Sequence, residues 1–278
     1  MADAAAIAAA VREAIPRAAF SLRPDVAAAL ESALASETSE RGRRVLAMLL
    51  QNARVAEAEG VPLCQDTGTV RVKVELGAAE RLTGDLRALV DAAVAEAYGS
   101  HALRASTVRD ALEDRSNPGD NTPAYVELVS RPGFGATVHV MLKGGGSDNA
   151  SALAMLDVSA GAEGVRAFVL DTVRAKGASA CPPLIVGVGV GGTFDTVAAL
   201  SSTALLREVG SRASGSAGEL EAGILAAVNA LGIGPGGFGG DTTALAVHVE
   251  TAPCHIAALP VAVDLGCSAM RSVSVEVP

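Results

Sequence analysis

Three observations predict a mixed α/β (α+β) fold. Apolar residues recur at helical spacing through the first sixty residues, "VRVKVEL" alternates as a half-buried strand, and "PLIVGVGV", "TALAVHVE" and "LPVAVDL" are wholly apolar runs set between Ala-rich stretches. The expected architecture is a set of N-terminal helices followed by mixed sheets flanked by Ala-rich helices, with Gly-rich loops around a cavity.

The elements follow in order. "DVAAALESALASE" and "RGRRVLAMLLQNARVAEAEG" carry apolar residues three and four apart, and Gly60-Val61-Pro62 ends that helical part. The stretch "VPLCQDTGT" comes just past this stop and leads into the strand "VRVKVEL". "GDLRALVDAAVAEAYGS" returns to helix, and "AYVELVS" and "TVHVML" flank "RPGFG" as an expected antiparallel hairpin-like pair. From Ala150 onward long helices alternate with apolar strands, as for a sheet covered by helices. No low-complexity linker, heptad array or repeat interrupts the chain, so a single domain over residues 1–278 is expected, with a helical part at 1–60 and a body at 61–278.

The 278 residues are 50% hydrophobic and only 3% aromatic, enough for a core built from Ala, Val and Leu. Lys+Arg total 22 against 31 Asp+Glu, and the net charge of -9 disfavours a nucleic-acid track or an anionic membrane as partner. The mean hydropathy of +0.36 comes mostly from Ala and Val, and charges break every apolar run short of bilayer length. With Asp3 first and Arg12 within the opening run, the N-terminus does not read as a secretory leader, so the cytoplasm is the expected location. The four cysteines are too dispersed for a disulfide framework and form no C-x-x-C pair.

Glycines gather in "KGGGSDN", "GVGVGGTFD", "GIGPGGFGGDTT" and "NPGDN". Without a Cβ, such loops let backbone amides approach an anion, though turn formation alone explains any one of them. Gly187, Gly189 and Gly192 satisfy G-x-G-x-x-G after an apolar strand, which keeps a nucleotide-dependent oxidoreductase open as an alternative. No acidic residue follows on a second strand, and G-K-[ST] is absent. Each cysteine has its own setting: Cys64 in "LCQDTG", Cys181 in "ASACPPL", Cys254 in "APCHIA" and Cys267 in "DLGCSAMR". Pro182-Pro183 should hold the backbone at Cys181 extended. Adjacency of Cys254 and His255 is poor evidence for a dyad, since sequence neighbours point apart. His255 stands out as a polar group at a strand entrance, whereas His101, His139 and His248 read as structural or exposed. Arg104 and Lys143 are the basic residues nearest these loops, as carboxylate binding requires, while Arg109 and Arg115 read as surface charge. Asp66, Asp120 and Asp148 lie in Gly/Asn turns, where Asx capping suits the last two.

Taken together, "LCQDTG", "LRAS" followed by "RSNPGDNTPA", "KGGGSDN", "CPPLIVGVGVGGTFD", "GPGGFGGDTTALAVHVETAPCHIAALPVAV" and "CSAMR" resemble the alpha subunit of the class I fumarate hydratase and L-tartrate dehydratase family, in order from about Val61 to Arg271. The resemblance implies a 4Fe-4S cluster held by Cys64, Cys181 and Cys267 with one open iron, leaving Cys254 outside the ligand set. It implies Gln65 and Asp66 at the substrate, with Asp66 arranging proton transfer, and Arg104 clamping a carboxylate. It further implies amides of Gly145 and Gly146 at another carboxylate oxygen and His255 at the hydroxyl. The sulfurs are then expected to converge on one cavity beside Asp66 and His255.

The implied reaction is reversible addition or loss of water on a small dicarboxylate, fumarate to L-malate first and L-tartrate dehydration next. Single-chain relatives carry further arginines, a lysine and a hydroxyl-bearing base in a C-terminal half, so this chain is expected to need a separate beta subunit in an alpha2beta2 assembly. Pro118 and Asp241 stand where the family commonly has Thr, and Lys or Leu. A non-catalytic iron-sulfur sensing module with the same motifs is the third reading.

Overall fold

In the computed structural model, which describes residues 2–278, the elements run α1 (Ala4–Phe20), α2 (Pro24–Ser36), α3 (Glu40–Glu59), β1 (Thr69–Gly77), α4 (Leu86–Ser100), β2 (Tyr125–Arg131), β3 (Ala136–Lys143), α5 (Gly145–Asn149), β4 (Ala152–Leu156), α6 (Gly161–Lys176), β5 (Leu184–Gly192), α7 (Val197–Ala204), α8 (Gly215–Asn229), β6 (Ala244–Cys254), β7 (Leu259–Gly266) and β8 (Ser272–Val277). They form two compact units. One comprises the chain up to Arg23, Ala53–Gly145 and Arg271–Pro278; the other comprises Pro24–Asn52 and Gly146–Met270. The helical first sixty residues are therefore shared: α1 belongs to the first unit, α2 to the second, and α3 runs from one to the other.

The first unit is a four-stranded sheet in the order β2-β1-β3-β8, with α1 and α4 on one face. Alternation sets that face. Val70, Val72 and Val74 of β1 and Ala136, Val138, Val140 and Leu142 of β3 are buried with Ile7, Val11 and Ile15 of α1 and Val90 and Val94 of α4. Asp3 and Asp85 start the two helices, their Oδ1 atoms accepting from the N–H groups of Ala5 (3.0 Å) and Ala88 (3.2 Å).

The expected pairing of "AYVELVS" with "TVHVML" is corrected. β2 and β3 run in opposite directions, but β1 lies between them, parallel to β2 and antiparallel to β3. The strand with the cleanest buried face takes the centre, and β2, exposed in alternation, takes the edge. The "RPGFG" connection crosses the end of β1 at Gly77, whose N–H donates to Gly135 O at 2.8 Å. A Cβ there would lie 2.5 Å from Gly133 O, so the crossing needs glycine.

The second unit is a four-stranded sheet in the order β4-β7-β5-β6. Leu184, Val186 and Val188 of β5 join a core with Val165 and Val169 of α6 and Ile224 and Val228 of α8. The intervening Gly187 and Gly189 face α7: a Cβ on them would meet Ser201 O at 2.2 Å and Val197 O at 2.4 Å. The "GVGVGG" glycines thus lie inside a strand and let a helix lie against it, and none opens a helix as a dinucleotide loop must. Asp264, buried on β7, accepts from Ser151 Oγ (2.9 Å) and Ser202 Oγ (2.6 Å), fastening the start of β4 and α7 to the sheet. Asp241, a departure from the family pattern, accepts from the Thr38 N–H and Oγ1 at 2.9 and 2.6 Å, while its own N–H donates to Glu37 at 2.8 Å. Among the described residues no helix is long and apolar enough to cross a membrane.

Glu221 of α8 is a buried carboxylate held by three donors. It is 4% exposed and accepts from Arg207 Nη1 (2.6 Å) and the N–H groups of Val249 (2.9 Å) and Ala213 (2.9 Å). Burial pushes its pKa up, but these donors outweigh burial and hold it below the usual value. A depressed folded-state pKa gives stability that is present above the unfolded value and lost as pH falls through the folded one. Glu221→Gln is expected to lower unfolding stability by about 2–4 kcal/mol at neutral pH. In urea titrations the gap between the variant and the parent should narrow as the carboxylate protonates below about pH 4.5.

Candidate active site

The turn after α3 has no regular secondary structure, so its shape depends on what its polar groups bond to. Leu63 is buried and its N–H donates to Ala19 O of α1 at 2.8 Å, which fixes the entry. Cys64 follows, half-exposed, its Sγ donating to Gln65 Oε1 at 3.4 Å, and the Gln65 side chain is exposed. Asp66 Oδ1 accepts from the Gly68 N–H (3.0 Å) and Ser106 Oγ (3.3 Å), and its Oδ2 accepts from the Gly145 N–H (2.8 Å). The Arg271 Nη1 donates to Asp66 O at 2.6 Å.

The exit of the turn is bonded as densely. Tyr98 OH donates to Gly68 O (3.1 Å) and Thr67 O (3.2 Å), and Asn121 Nδ2 donates to Gly68 O at 3.0 Å. Burial pushes the Tyr98 phenol up to about 12, so it stays a proton donor across the physiological range. Gly68 has φ 78°, and a Cβ on it would come 2.5 Å from Lys143 O; only glycine fits between the turn and the end of β3.

Arg104 lies on the irregular stretch between α4 and β2, tied to the same turn because Thr67 Oγ1 donates to its carbonyl at 2.5 Å. Ser106, two residues on, is held by Asn121 Oδ1, which accepts its N–H at 2.6 Å. Among the described residues the exposed Arg104 guanidinium makes no ion pair, which leaves it available to an anion. Tyr98, Ser106, Asn121 and Arg271 escape sequence reasoning. Ser106, Asn121 and Arg271 lie within "LRAS", "RSNPGDNTPA" and "CSAMR", but those strings do not say that their side chains or amides bond to a turn far away in the chain.

In the second unit the strand register separates two ends of the sheet. Ile185 pairs with Gly266 and Ala152 with Val263, so Cys181, Cys267 and the Gly146 segment belong to one end. There the Ser268 N–H donates to Cys181 O at 3.0 Å, and a Cβ on Gly146 would come 3.3 Å from Ser179 O. Cys181 is not extended as expected. It is left-handed (φ 57°, ψ 67°), because it caps the 3-10 turn Gly177–Ala180 and turns its carbonyl toward Ser268.

His255 sits at the opposite end, in the β6–β7 connection, and eight residues of β7 lie between it and Cys267. At about 3.3 Å per strand residue this is a separation of about 25 Å, so His255 does not join Cys181 and Cys267 within this unit. The His255 Nδ1 accepts from the Ala257 N–H at 3.1 Å, which leaves the proton on Nε2 in the neutral ring. Cys254 is exposed and its Sγ donates to Ala258 O at 3.2 Å. His248 is buried with Nδ1 at 3.1 Å from Ala204 O, a structural role as expected.

All four cysteines are free thiols. Cys64 is on the first unit and Cys181 and Cys267 on the second, so neither unit alone carries all three. Among the described residues no group of three or more His, Cys, Asp or Glu is placed as a metal-ion site. The donor chemistry nonetheless suits an iron-sulfur group: thiolates are its usual ligands, none of these three is fully buried, and two share one sheet end. An open cleft of about 590 Å³ between Arg207 and Thr251 holds none of these residues, and its Arg207 is already paired with Glu221 and Glu250.

A family model described as "Fumarate hydratase (Fumerase)" matches residues 8–276. A Methanocaldococcus jannaschii protein named "Putative L(+)-tartrate dehydratase subunit alpha" is 37% identical over 268 residues, 94% of this chain and 94% of its own length. The L(+)-tartrate dehydratase subunit alpha of Escherichia coli strain UTI89 is 36% identical over 252 residues, 89% of this chain and 82% of its own length. That of strain K12 is 35% identical over the same length. With the family model spanning nearly all of its length, the chain belongs to the fumarate hydratase family of hydro-lyases.

Proposed function

We propose that residues 1–278 act as one alpha-subunit domain of a cytoplasmic 4Fe-4S hydro-lyase that reversibly removes water from a small 2-hydroxy dicarboxylate, with a separate beta subunit completing the site. The observation that carries this reading is the fixed turn that holds a thiol, an amide and a carboxylate side by side, with the Arg104 backbone tied to it. The relatives' names support including L-tartrate, beside L-malate and fumarate, among the substrates to assay.

Loss of water breaks one C–H and one C–O bond and leaves a carbon–carbon double bond; the base keeps the proton, and the departing hydroxide takes another to leave as water. Cys64, Cys181 and Cys267 would hold the cluster, which when bound supplies Lewis acidity toward the hydroxyl and one carboxylate. The Arg104 guanidinium binds a substrate carboxylate, with Gln65 exposed on the turn next to it. The Gly145 N–H donates to Asp66 Oδ2, so a substrate carboxylate that takes the Gly145 and Gly146 amides frees Asp66 Oδ2 at the moment of binding. Asp66 then arranges the proton transfer to a base from the beta subunit.

His255 donates from Nε2 to the departing hydroxyl. Because β7 separates it from Cys267, it serves the site of a second alpha chain, as the alpha2beta2 assembly allows. The exposed Phe194 (67%) and Ile256 (92%) at its end of the sheet offer apolar surface for that contact.

Three experiments test this reading. Anaerobic reconstitution with iron and sulfide should give absorbance near about 400 nm, lost in Cys64→Ser, Cys181→Ser and Cys267→Ser and kept in Cys254→Ser; a parent chain that binds no iron overturns the cofactor assignment. Turnover of L-tartrate, L-malate or fumarate should require the beta subunit, and strong activity of the alpha chain alone would overturn the two-subunit reading. Mixing inactive His255→Ala and Cys181→Ser chains should restore about a quarter of parental activity, since about half of all pairs are mixed and each mixed pair retains one intact site of two. No recovery on mixing would place His255 in the site of its own chain.

A further inference from the structure

We propose that Arg271 is a positioning residue for the Cys64–Gln65–Asp66 turn, a role that deepens the function assigned to Asp66 and rests on it. Arg271 is 2% exposed. Its carbonyl accepts from the Leu142 N–H at 2.9 Å, so its backbone lengthens the β3–β8 ladder by one residue beyond Ser272. Its side chain reaches Asp66, where Nη1 donates to the backbone carbonyl at 2.6 Å. The carbonyl direction sets the Asp66–Thr67 peptide plane, and with it the direction in which the Asp66 carboxylate leaves the chain.

Three features argue against a merely structural arginine. Its Nε is buried without a partner, and among the described residues it forms no ion pair. A buried guanidinium without a carboxylate is costly, and apolar side chains of similar volume generally fill such a place with equal or greater stability. The other branch of the fork lies toward the Asp66 carboxylate: a Cβ on Gly144 would come 3.4 Å from Arg271 Nη2 and 3.3 Å from Asp66 Oδ2, so guanidinium and carboxylate flank one glycine. The Tyr98 phenol, which closes the same turn, feels the charges of both Arg271 and Asp66. A lysine could supply the charge but not the planar fork.

The test compares Arg271→Ala and Arg271→Lys with the parent, both as the alpha chain alone by amide hydrogen exchange and with the beta subunit by turnover. The Gly68 and Gly145 amides report the Asp66 position directly, because both donate to its carboxylate. In Arg271→Ala these two amides should exchange about tenfold faster while β1, β3 and β8 keep their protection. The kcat should fall about a hundredfold with KM changed by less than about threefold, the signature of misplacement rather than lost binding. Added guanidinium ion should recover at least about tenfold in kcat for Arg271→Ala, and Arg271→Lys should stay slow and unrescued. The proposal is overturned by a kcat within about threefold of the parent, by no guanidinium recovery, or by loss of protection throughout β8. A parent enzyme that turns over no dicarboxylate would refute the functional reading instead, and the exchange of Gly68 and Gly145 would still decide the positioning role.

Discussion

Bonding of one irregular turn to its surroundings is the constraint on which the candidate site depends. An irregular segment has no ladder to satisfy its backbone groups, and each unsatisfied group weakens its hold on a single shape. Between Leu63 and Thr69 the carbonyls of Asp66, Thr67 and Gly68 accept from Arg271, Tyr98 and Asn121, and the Asp66 side chain collects the Gly68 and Gly145 amides. These donors come from an α4 residue, from the stretch before β2, and from the approach to β8. The turn is held because the sheet and helices that bring those elements together are held. The apolar face of α4, with Val90, Val94 and Ala97 in the core, is what delivers the Tyr98 hydroxyl to the turn.

The second unit obeys a different rule. Its strands are buried along their middles by helices on both faces, so polar chemistry is confined to the strand ends. One end carries Cys181, Cys267 and the Gly146 segment; the other carries Cys254, His255 and the loop after Gly192. Of the glycines that imitate a nucleotide fingerprint, Gly187 and Gly189 lie inside β5 against α7 and Gly192 ends the strand. A pattern of three glycines is thereby assigned by its place along the strand, which a sequence string does not contain.

What could be read in the sequence follows the range of the interaction responsible. Helices and strands are local, and α1 to α4, β1 and the three apolar strands of the second unit lie where apolar spacing puts them. The family motifs were legible because they are contiguous, and they named Cys64, Asp66 and Arg104 before any geometry was known. Pairing was not legible: β2 and β3 flank β1 instead of each other, a choice made by how well each face is buried. Nor were Arg271 and Asn121, which meet the turn across 205 and 53 positions of chain. The left-handed Cys181 was hidden for the same reason, since the bond from Ser268 that favours it arrives from the end of the neighbouring strand β7, far along the chain.

The low aromatic content has a structural meaning here. With 3% Phe, Trp and Tyr, the cores are packed from Ala and Val, and helices lie close to strands, as Ala4, Ala8, Ala14 and Ala18 of α1 do in the first unit's core. Close packing by small side chains leaves few bulky groups to spare, and the chain places several of its large apolar side chains outside the cores: Phe134, Phe194, Phe238 and Ile256 are all exposed. Single exposed apolar side chains are ordinary on a protein surface, so only those gathered at one sheet end, Phe194 and Ile256 after β5 and β6, are candidates for contact. These two flank the end of the sheet that carries His255, which is the surface the proposed two-site assembly uses.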